Sequence, residues 1–398
     1  MKLKIISIPL ALLLLGLLSG CAAGEIPTPR PSPTRTRVRT VTHRPVLTRK
    51  PTRSATPAPT VTSTPTFTLT PTVTATYTIT PTPSFTPTLT PTASPTPLGG
   101  AQPTLFPMSI AAMRQGSYPG SDIAIDEELA PGDNYRRFYV YYLSQGLKIY
   151  ALLTLPNGPM PAGGWPGIVF NHGYIPPDQY RTTERYIAYV DRLARNGYVI
   201  FRIDYRGHDN SEGDPQGAYG DPGYEVDVLN AITSLERFPQ VNPQRIGMWG
   251  HSMGGYLTLR AMVISKDIKA GVIWAGVVAP YSDILYNWPA GPSIPPANSR
   301  KWMTDWPAAF GAPAQNPDFW ASVSANSYLP DLSGPLQLHY GTADEEVPPI
   351  FSQKLYDEIQ AVNGNVELYD YPGDDHNISR YFNTAMNRTI AFFDAHLK

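Results

Sequence analysis

Residues 250–254, with the sequence Gly-His-Ser-Met-Gly, constrain this chain more than any other feature. They follow a short apolar run at 245–249, which predicts a buried strand, and they precede the proline-free segment 256–265, which predicts a helix. A sharp strand–turn–helix connection needs glycines on both sides, because the serine adopts a strained backbone angle and its neighbours approach closely. The pattern therefore predicts a nucleophile elbow that presents the Ser252 hydroxyl at the edge of a sheet.

A serine hydroxyl is a weak nucleophile at neutral pH and needs a histidine base that a carboxylate orients. Both partners follow Ser252 in the order Ser, Asp, His that α/β-hydrolases use. Asp344 lies in the loop after a predicted strand at 335–340, and His376 lies in the loop after the predicted strand at 365–371. Each follows the carboxyl end of a strand, where open α/β sheets place their sites. We predict that Ser252, Asp344 and His376 form a catalytic triad.

A second element of the site comes earlier in the chain. The predicted strand at 167–170 leads into the sequence Asn-His-Gly-Tyr at 171–174. The oxyanion hole of this fold uses the N–H after the nucleophile and another N–H from the loop after an early strand. These donors would be the backbone N–H groups of Met253 and Tyr174. His172 is expected to hold the loop through hydrogen bonds rather than to act as a second base.

From about residue 136 onward, the chain resembles the catalytic domain of the prolyl oligopeptidase family of serine hydrolases. The resemblance rests on Asn-His-Gly at 171–173, Asp-Tyr-Arg-Gly at 204–207, the elbow at 250–255, Gly-x-x-Asp-x-x-Val-Pro at 341–348, and His376. It implies that Ser252 is the nucleophile, Asp344 the orienting acid and His376 the base. Peptidase activity is likewise what the resemblance implies.

The substrate is less constrained than the reaction. Family members that cleave oligopeptides usually carry a β-propeller before the hydrolase domain, and this sequence shows no blade-like repeat. We expect a peptidase acting on small peptides, with a carboxylesterase (acetyl- or feruloyl-ester, or dienelactone-hydrolase-like) as the alternative. A catalytically inactive envelope binding protein is a third interpretation, which the complete Ser–Asp–His set disfavours. No cofactor, metal or nucleic-acid partner is expected, and the sequence leaves the oligomeric state open.

Residues 1–20 have the layout of a bacterial lipoprotein signal peptide. The basic residues Lys2 and Lys4 precede an apolar run at 5–18, which is too short for a comfortable membrane span. The run ends in Leu-Ser-Gly-Cys, which resembles the lipobox, so we predict cleavage before Cys21 and lipidation of this residue. Cys21 is the only cysteine in 398 residues. The protein is expected to be exported and held by lipid at the outer face of a bacterial cell membrane.

Residues 21–103 predict a disordered linker, because proline and threonine dominate and such a chain cannot bury a core. Its first part, 21–53, carries eight basic residues and one acid. This basic part could lie against anionic lipid headgroups or simply be solvated.

Residues 104–398 predict one α/β-hydrolase domain, with a mostly parallel central sheet and helices on both faces. A hairpin at 136–155 begins the sheet, and helices are predicted at 183–196 and 224–237. A cap insertion is expected at about 277–330, after the nucleophile half. Its aromatic residues could line a substrate pocket, but most are expected to form the cap's own core. They are Tyr281, Tyr286, Trp288, Trp302, Trp306, Phe310, Phe319 and Trp320.

Overall fold

The computed structural model describes residues 105–288 and 300–398. The predicted signal peptide (1–20), the predicted linker (21–103) and residues 289–299 of the predicted cap lie outside the described residues. The strands are, in chain order, β1 (Ala124–Leu129), β2 (Tyr135–Ser144), β3 (Leu147–Pro156), β4 (Trp165–Asn171), β5 (Val199–Ile203), β6 (Val241–His251), β7 (Ile268–Trp274), β8 (Leu336–Gly341) and β9 (Val366–Tyr371).

These strands form one sheet in the order β1-β2-β3-β5-β4-β6-β7-β8-β9. The first three strands and the β3–β5 pair are antiparallel, and the pairs from β5 through β9 are parallel. The predicted hairpin is confirmed: Gln145 and Gly146 join β2 to β3 with φ of 52° and 83°. Two consecutive positive φ angles give the turn type whose twist matches a two-residue hairpin.

The helices cover both faces of the sheet. They are, in the described ranges, α1 (Ile110–Gln115), α2 (Ile187–Arg195), α3 (Gly223–Glu236), α4 (Met253–Ile264), α5 (Tyr281–Asn287), α6 (Trp302–Phe310), α7 (Pro317–Val323), α8 (Ile350–Ala361) and α9 (Phe382–Leu397), with a 3₁₀ segment at Ala325–Asp331. Apolar side chains of α2 and α9 pack on one face, and those of α1, α3, α4 and α8 pack on the other. None of the helices in these ranges is long and apolar enough to cross a bilayer.

The predicted α/β-hydrolase fold is confirmed. The inner strands β4 and β5 are buried along almost their whole length, which explains their continuous apolar sequences. The parallel strands also bring the carboxyl ends of β4, β6, β8 and β9 to one edge of the sheet. The loops that carry the predicted site residues leave from this edge.

Two elements differ from the sequence-based expectation. The helix predicted at 183–196 begins only at Ile187, because Tyr186 has a left-handed φ of 56° and Thr182 is held by Asp204 and Asp209. Strand β1 was not predicted at all. Most of its six residues are exposed and half are acidic, so they lack the apolar alternation that reveals a strand, and charge suits an edge position.

The aromatic residues of the cap region between β7 and β8 belong to the same buried cluster as the core on one face of the sheet. Trp302, Trp306 and Trp320 are buried, and Phe106 from the start of the described chain packs edge-on against Trp306 at 5.1 Å between ring centroids. Tyr286 is the exception, with 64% of its surface exposed. Most of these aromatic residues therefore pack inside the domain, in one cluster with residues of α3 and α4.

Candidate active site

Ser252 occupies the turn between β6 and α4. Its backbone angles, φ 56° and ψ −118°, lie in a region that residues other than glycine rarely adopt. The Ser252 N–H donates to the Trp274 carbonyl at 2.9 Å, and the Gly255 N–H donates to the Ser252 carbonyl at 2.9 Å. A Cβ atom at Gly250 or Gly254 would overlap neighbouring backbone. The glycines therefore allow the sharp strand–turn–helix that the sequence predicted.

Asp344 and His376 meet in the loops that follow β8 and β9. His376 Nδ1 lies 2.8 Å from Asp344 Oδ2, and both side chains are buried. Asp344 Oδ1 accepts hydrogen bonds from the N–H groups of Glu346, at 2.8 Å, and Val347, at 2.9 Å. These two bonds hold the carboxylate so that Oδ2 faces the imidazole. Asp344 can therefore favour the tautomer with its proton on Nδ1, which leaves Nε2 able to accept a proton.

The His376 ring lies beside the elbow. Its centroid is 4.6 Å from the ring centroid of His251, which directly precedes Ser252. His251 Nε2 also lies 3.0 Å from the His376 carbonyl oxygen. Ser252 is half-buried, whereas its neighbours His251 and Met253 are buried. The fold thus brings the three predicted triad residues to the same edge of the sheet.

Asp374, which the sequence did not single out, organises the loop that carries His376. Its carboxylate accepts hydrogen bonds from the N–H groups of Asp375, at 3.0 Å, Arg380, at 3.1 Å, and Tyr381, at 2.9 Å. Its carbonyl oxygen accepts from the Ala343 N–H at 2.9 Å, which joins this loop to the loop of Asp344. A pair of aspartates after a strand predicts a turn but does not reveal this role.

The predicted oxyanion donors come from the loop after β4 and from the start of α4. Tyr174 follows β4, and Met253 is the first residue of α4. The adjacent Gly173 runs so close to the elbow that a Cβ atom on it would lie 3.2 Å from the Ser252 Cβ. Within the described part of the chain, the N–H groups of Met253 and Tyr174 have no hydrogen-bond acceptor. Two free backbone donors near the serine are what an oxyanion hole requires.

Two other histidines lie behind this loop and are fully buried. His172 Nδ1 lies 2.7 Å from the Gly173 carbonyl oxygen, and its ring stacks on Tyr180 at 4.3 Å between centroids. Burial lowers the pKa of His172 well below its usual value, and it lowers the pKa of His208 to about 4. Both rings are therefore neutral at physiological pH and brace the loop, in keeping with the support role expected for His172.

The loop after β5 is fixed by buried charge. Arg206 makes a bidentate ion pair with the fully buried Asp227 of α3, with the closest contact at 2.7 Å. Asp204 accepts a hydrogen bond from the Thr182 hydroxyl at 2.7 Å, and burial raises the pKa of Asp204 to about 7. These contacts tie the loop to α3 and to the segment before α2, so they support the site without entering it.

The Nε2 side of the His376 ring faces a second carboxylate. Glu346 Oε2 lies 3.9 Å from His376 Nε2, and the Glu346 side chain is 41% exposed. From the cap, Trp288 Nε1 donates to the Glu346 carbonyl at 2.8 Å, so cap and triad loop are joined here. In the described residues, no group of three or more His, Cys, Asp or Glu side chains could hold a metal ion.

Acyl transfer on an α/β-hydrolase fold requires a serine, a histidine that a carboxylate orients, and N–H donors for the oxyanion. The described residues supply each of these groups. The model of the prolyl oligopeptidase family matches residues 185–398, more than half of the chain. The protein belongs to this family and is a serine hydrolase.

One curated protein and two solved structures illustrate what this chain is similar to. The chain is 26% identical over 262 residues to the uncharacterized peptidase YtmA of Bacillus subtilis, covering 66% of this chain and 92% of that protein. Its fold is similar to that of the Pyrococcus horikoshii acylaminoacyl peptidase, with a TM-score of 0.53, 22% identity, and coverage of 66% of this chain and 42% of that one. It is also similar to the acetyl xylan esterase from Paenibacillus sp. R4, with a TM-score of 0.54, 19% identity, and coverage of 72% and 92%.

Proposed function

We propose that this serine hydrolase acts through an acyl-enzyme, with Ser252 as nucleophile, His376 as base and Asp344 as orienting acid. The observation that carries the proposal is the 2.8 Å contact between Asp344 Oδ2 and His376 Nδ1, beside the strained Ser252. His376 Nε2 would take the hydroxyl proton while the Ser252 oxygen attacks the substrate carbonyl. The N–H groups of Met253 and Tyr174 would stabilise the oxyanion of the tetrahedral intermediate.

The intermediate would then collapse in the direction that releases the leaving group. His376 would return its proton to the leaving amine or alcohol, and the acyl group would stay on Ser252. A water molecule, deprotonated by His376, would attack the acyl-enzyme and release the acid and the free serine. The same steps serve peptides and esters, so the triad alone does not select between them.

We propose a small-peptide substrate. YtmA, named a peptidase, matches this chain over almost its full length, which supports peptidase activity in a chain of this size. The carboxylate of Glu346 near His376 Nε2 also favours substrates with a positive charge, such as a free amino group, next to the scissile bond. A carboxylesterase is the second candidate, because the acetyl xylan esterase shares this fold over almost its full length.

The substrate class is tested with a panel of p-nitrophenyl esters and of aminoacyl- and prolyl-p-nitroanilides, compared by kcat/KM. We expect turnover of anilides that carry a free amino group, and a lower kcat/KM when that group is acylated. Turnover of esters alone would favour the carboxylesterase. No turnover and no reaction of the wild type with a fluorophosphonate would instead indicate the inactive binding protein.

We also propose that the protein is a lipoprotein, anchored through Cys21 at the outer face of a bacterial cell membrane. The support is the sequence: a basic start, an apolar run at 5–18 and Leu-Ser-Gly-Cys at 18–21. Acyl chains contribute about 0.8 kcal/mol per buried methylene, so several chains on one residue would hold the protein firmly. The linker would then carry the enzyme away from the bilayer.

The Cys21→Ser variant is expected to leave the membrane fraction without losing specific activity, since the proposed catalytic residues all lie far along the chain. Membranes from a bacterial host are washed at 1 M salt, where the Debye length is ~3 Å, so that attachment through the basic segment 21–53 is screened. A mature Cys21→Ser protein that stays in the membranes after this wash would contradict lipid anchoring. Wild type processed in parallel is the control.

A further inference from the structure

Tyr186 lies at the point where three parts of the site meet. Its left-handed backbone (φ 56°) stops α2 from starting earlier and turns its side chain toward the elbow. The ring packs edge-on against Phe170 of β4, at 5.6 Å between centroids, and against Trp249 of β6, at 6.2 Å. Non-glycine residues seldom adopt this conformation, and where they do it is held by the surroundings.

The Tyr186 hydroxyl begins a continuous chain of hydrogen bonds. The Gly173 N–H donates to its oxygen at 2.9 Å, and the hydroxyl lies 2.8 Å from His251 Nδ1. On the other side of the same ring, His251 Nε2 lies 3.0 Å from the His376 carbonyl oxygen. The chain therefore runs from the oxyanion loop, through Tyr186 and His251, to the backbone of the base.

Only one arrangement of protons satisfies every bond of this chain. The His376 carbonyl can only accept, so His251 Nε2 must carry a proton. Burial, and then the nearby His376, lower the pKa of His251 to about 3, so the ring is neutral and Nδ1 is an acceptor. The Tyr186 O–H must then donate to Nδ1, and its oxygen accepts from Gly173. Every donor in the chain has one acceptor.

The same contacts fix the direction of the Tyr174 N–H. The Gly173 carbonyl accepts from His172 Nδ1 at 2.7 Å, and in a trans peptide the C=O and the following N–H point in opposite directions. The Gly173 N–H, at the other end of the residue, is held by Tyr186. The peptide that bears the proposed oxyanion donor is thus held at its carbonyl, and the peptide before it is held at the Gly173 N–H.

We propose that Tyr186 and His251 are positioning residues. They fix the position of the Tyr174 oxyanion donor relative to the His376 base. The inference rests on the proposed function, in which both groups act on the same substrate carbonyl. Neither Tyr186 nor His251 takes part in a proton transfer. Their effect is on the geometry of the tetrahedral intermediate, which forms only during reaction, so their loss should lower kcat and leave KM nearly unchanged.

The test compares side-chain changes along this series of hydrogen bonds. Tyr186→Phe removes the hydroxyl and keeps the ring packing. His251→Leu removes both ring nitrogens, whereas His251→Gln keeps one acceptor and one donor on its amide. Tyr142→Phe is the control, because it too removes a hydroxyl that donates one hydrogen bond, here to the Asp227 carbonyl at 2.8 Å.

Removing one oxyanion donor costs about 10²–10³ in kcat, and a misdirected donor loses part of this. We therefore expect Tyr186→Phe and His251→Leu each to lower kcat about ten- to a hundredfold, with KM within about twofold. The kcat of the double variant should be no lower than that of the less active single variant, since both substitutions break the same series of hydrogen bonds. His251→Gln should recover most of the activity, and Tyr142→Phe should keep wild-type kcat whatever its melting temperature.

Several results would overturn the inference. One such result is a wild-type kcat in Tyr186→Phe. Another is additive losses in the double variant, and a third is equal losses in His251→Gln and His251→Leu. Each would show that the hydrogen bonds through Tyr186 and His251 do not position the site. If Tyr186→Phe fails to fold, the comparison of His251→Leu with His251→Gln still tests the inference. Turnover that survives Ser252→Ala would overturn the proposed function, and this inference with it. A Ser252-dependent enzyme with a silent Tyr186→Phe would overturn the inference alone.

Discussion

Ser252→Ala is expected to reduce kcat by about 10⁶-fold, the loss that follows removal of a triad nucleophile. Without the hydroxyl no acyl-enzyme can form, and only direct attack by water remains. The fold should be unchanged, because the hydrogen bonds of the elbow involve the Ser252 backbone. The Ser252 N–H donates to the Trp274 carbonyl, and the Ser252 carbonyl accepts from the Gly255 N–H. Alanine carries the same Cβ atom, so the strained backbone angle costs the same as in wild type.

The measurement is turnover together with labelling by a fluorophosphonate, followed by mass spectrometry of the labelled peptide. Wild type should carry the label on Ser252, and Ser252→Ala should carry none. Ser322→Ala is the matched control, since the Ser322 hydroxyl donates to the Phe319 carbonyl at 2.6 Å within α7. Labelling of Ser252→Ala at a different serine would show that the nucleophile has been misassigned.

The buried parallel strands and the site loops could be predicted because each is encoded by a few adjacent residues. Buried parallel strands are continuous apolar runs, and the sharp turn at Ser252 requires the glycines on either side of it. Parallel strands place their carboxyl ends at one edge, so Asp344 and His376 could be expected to meet although 32 positions separate them. Local sequence and sheet topology together were sufficient here.

Tyr186 shows where such reasoning fails. Its sequence neighbourhood predicts a helix from 183, and nothing local indicates a left-handed residue at 186. The conformation is fixed by contacts with Gly173 and His251, which are distant in sequence. A local pattern cannot encode bonds of this kind, because the partners come together only in the folded sheet. Asp374 was missed for the same reason, as its role depends on where its loop lies against Ala343.

The structure distinguishes Asp344, the acid that the sequence predicts, from the other carboxylates nearby. Glu345 and Glu346 directly follow Asp344 in the sequence, and Asp375 directly precedes His376. The Asp375 carboxylate accepts hydrogen bonds from the N–H groups of Asn377 and Ser379, both at 3.0 Å, within its own loop. Glu346 approaches His376 from the Nε2 side, at 3.9 Å. Asp344 contacts Nδ1, which is the side from which a carboxylate can orient the base.

Asp344→Asn is expected to lower kcat by about 10⁴-fold while leaving the fold intact. The reason lies in the hydrogen bonds of Asp344 Oδ1, which accepts from the N–H groups of Glu346 and Val347. An asparagine would keep its carbonyl oxygen in that position, so its NH₂ group would face His376 Nδ1. Nδ1 would then have to accept, and the imidazole proton would move to Nε2. His376 could no longer take the proton of Ser252.

The control is Asp375→Asn, which keeps an acceptor oxygen for the N–H groups of its loop and should retain kcat within about tenfold. Both variants are assayed at saturating substrate, and their melting temperatures are compared with wild type. A nearly silent Asp344→Asn together with an inactive Asp375→Asn would mean that the acid had been misassigned. The expected pattern is the reverse, because an amide in place of Asp344 reverses the direction of the hydrogen bond on which the base depends.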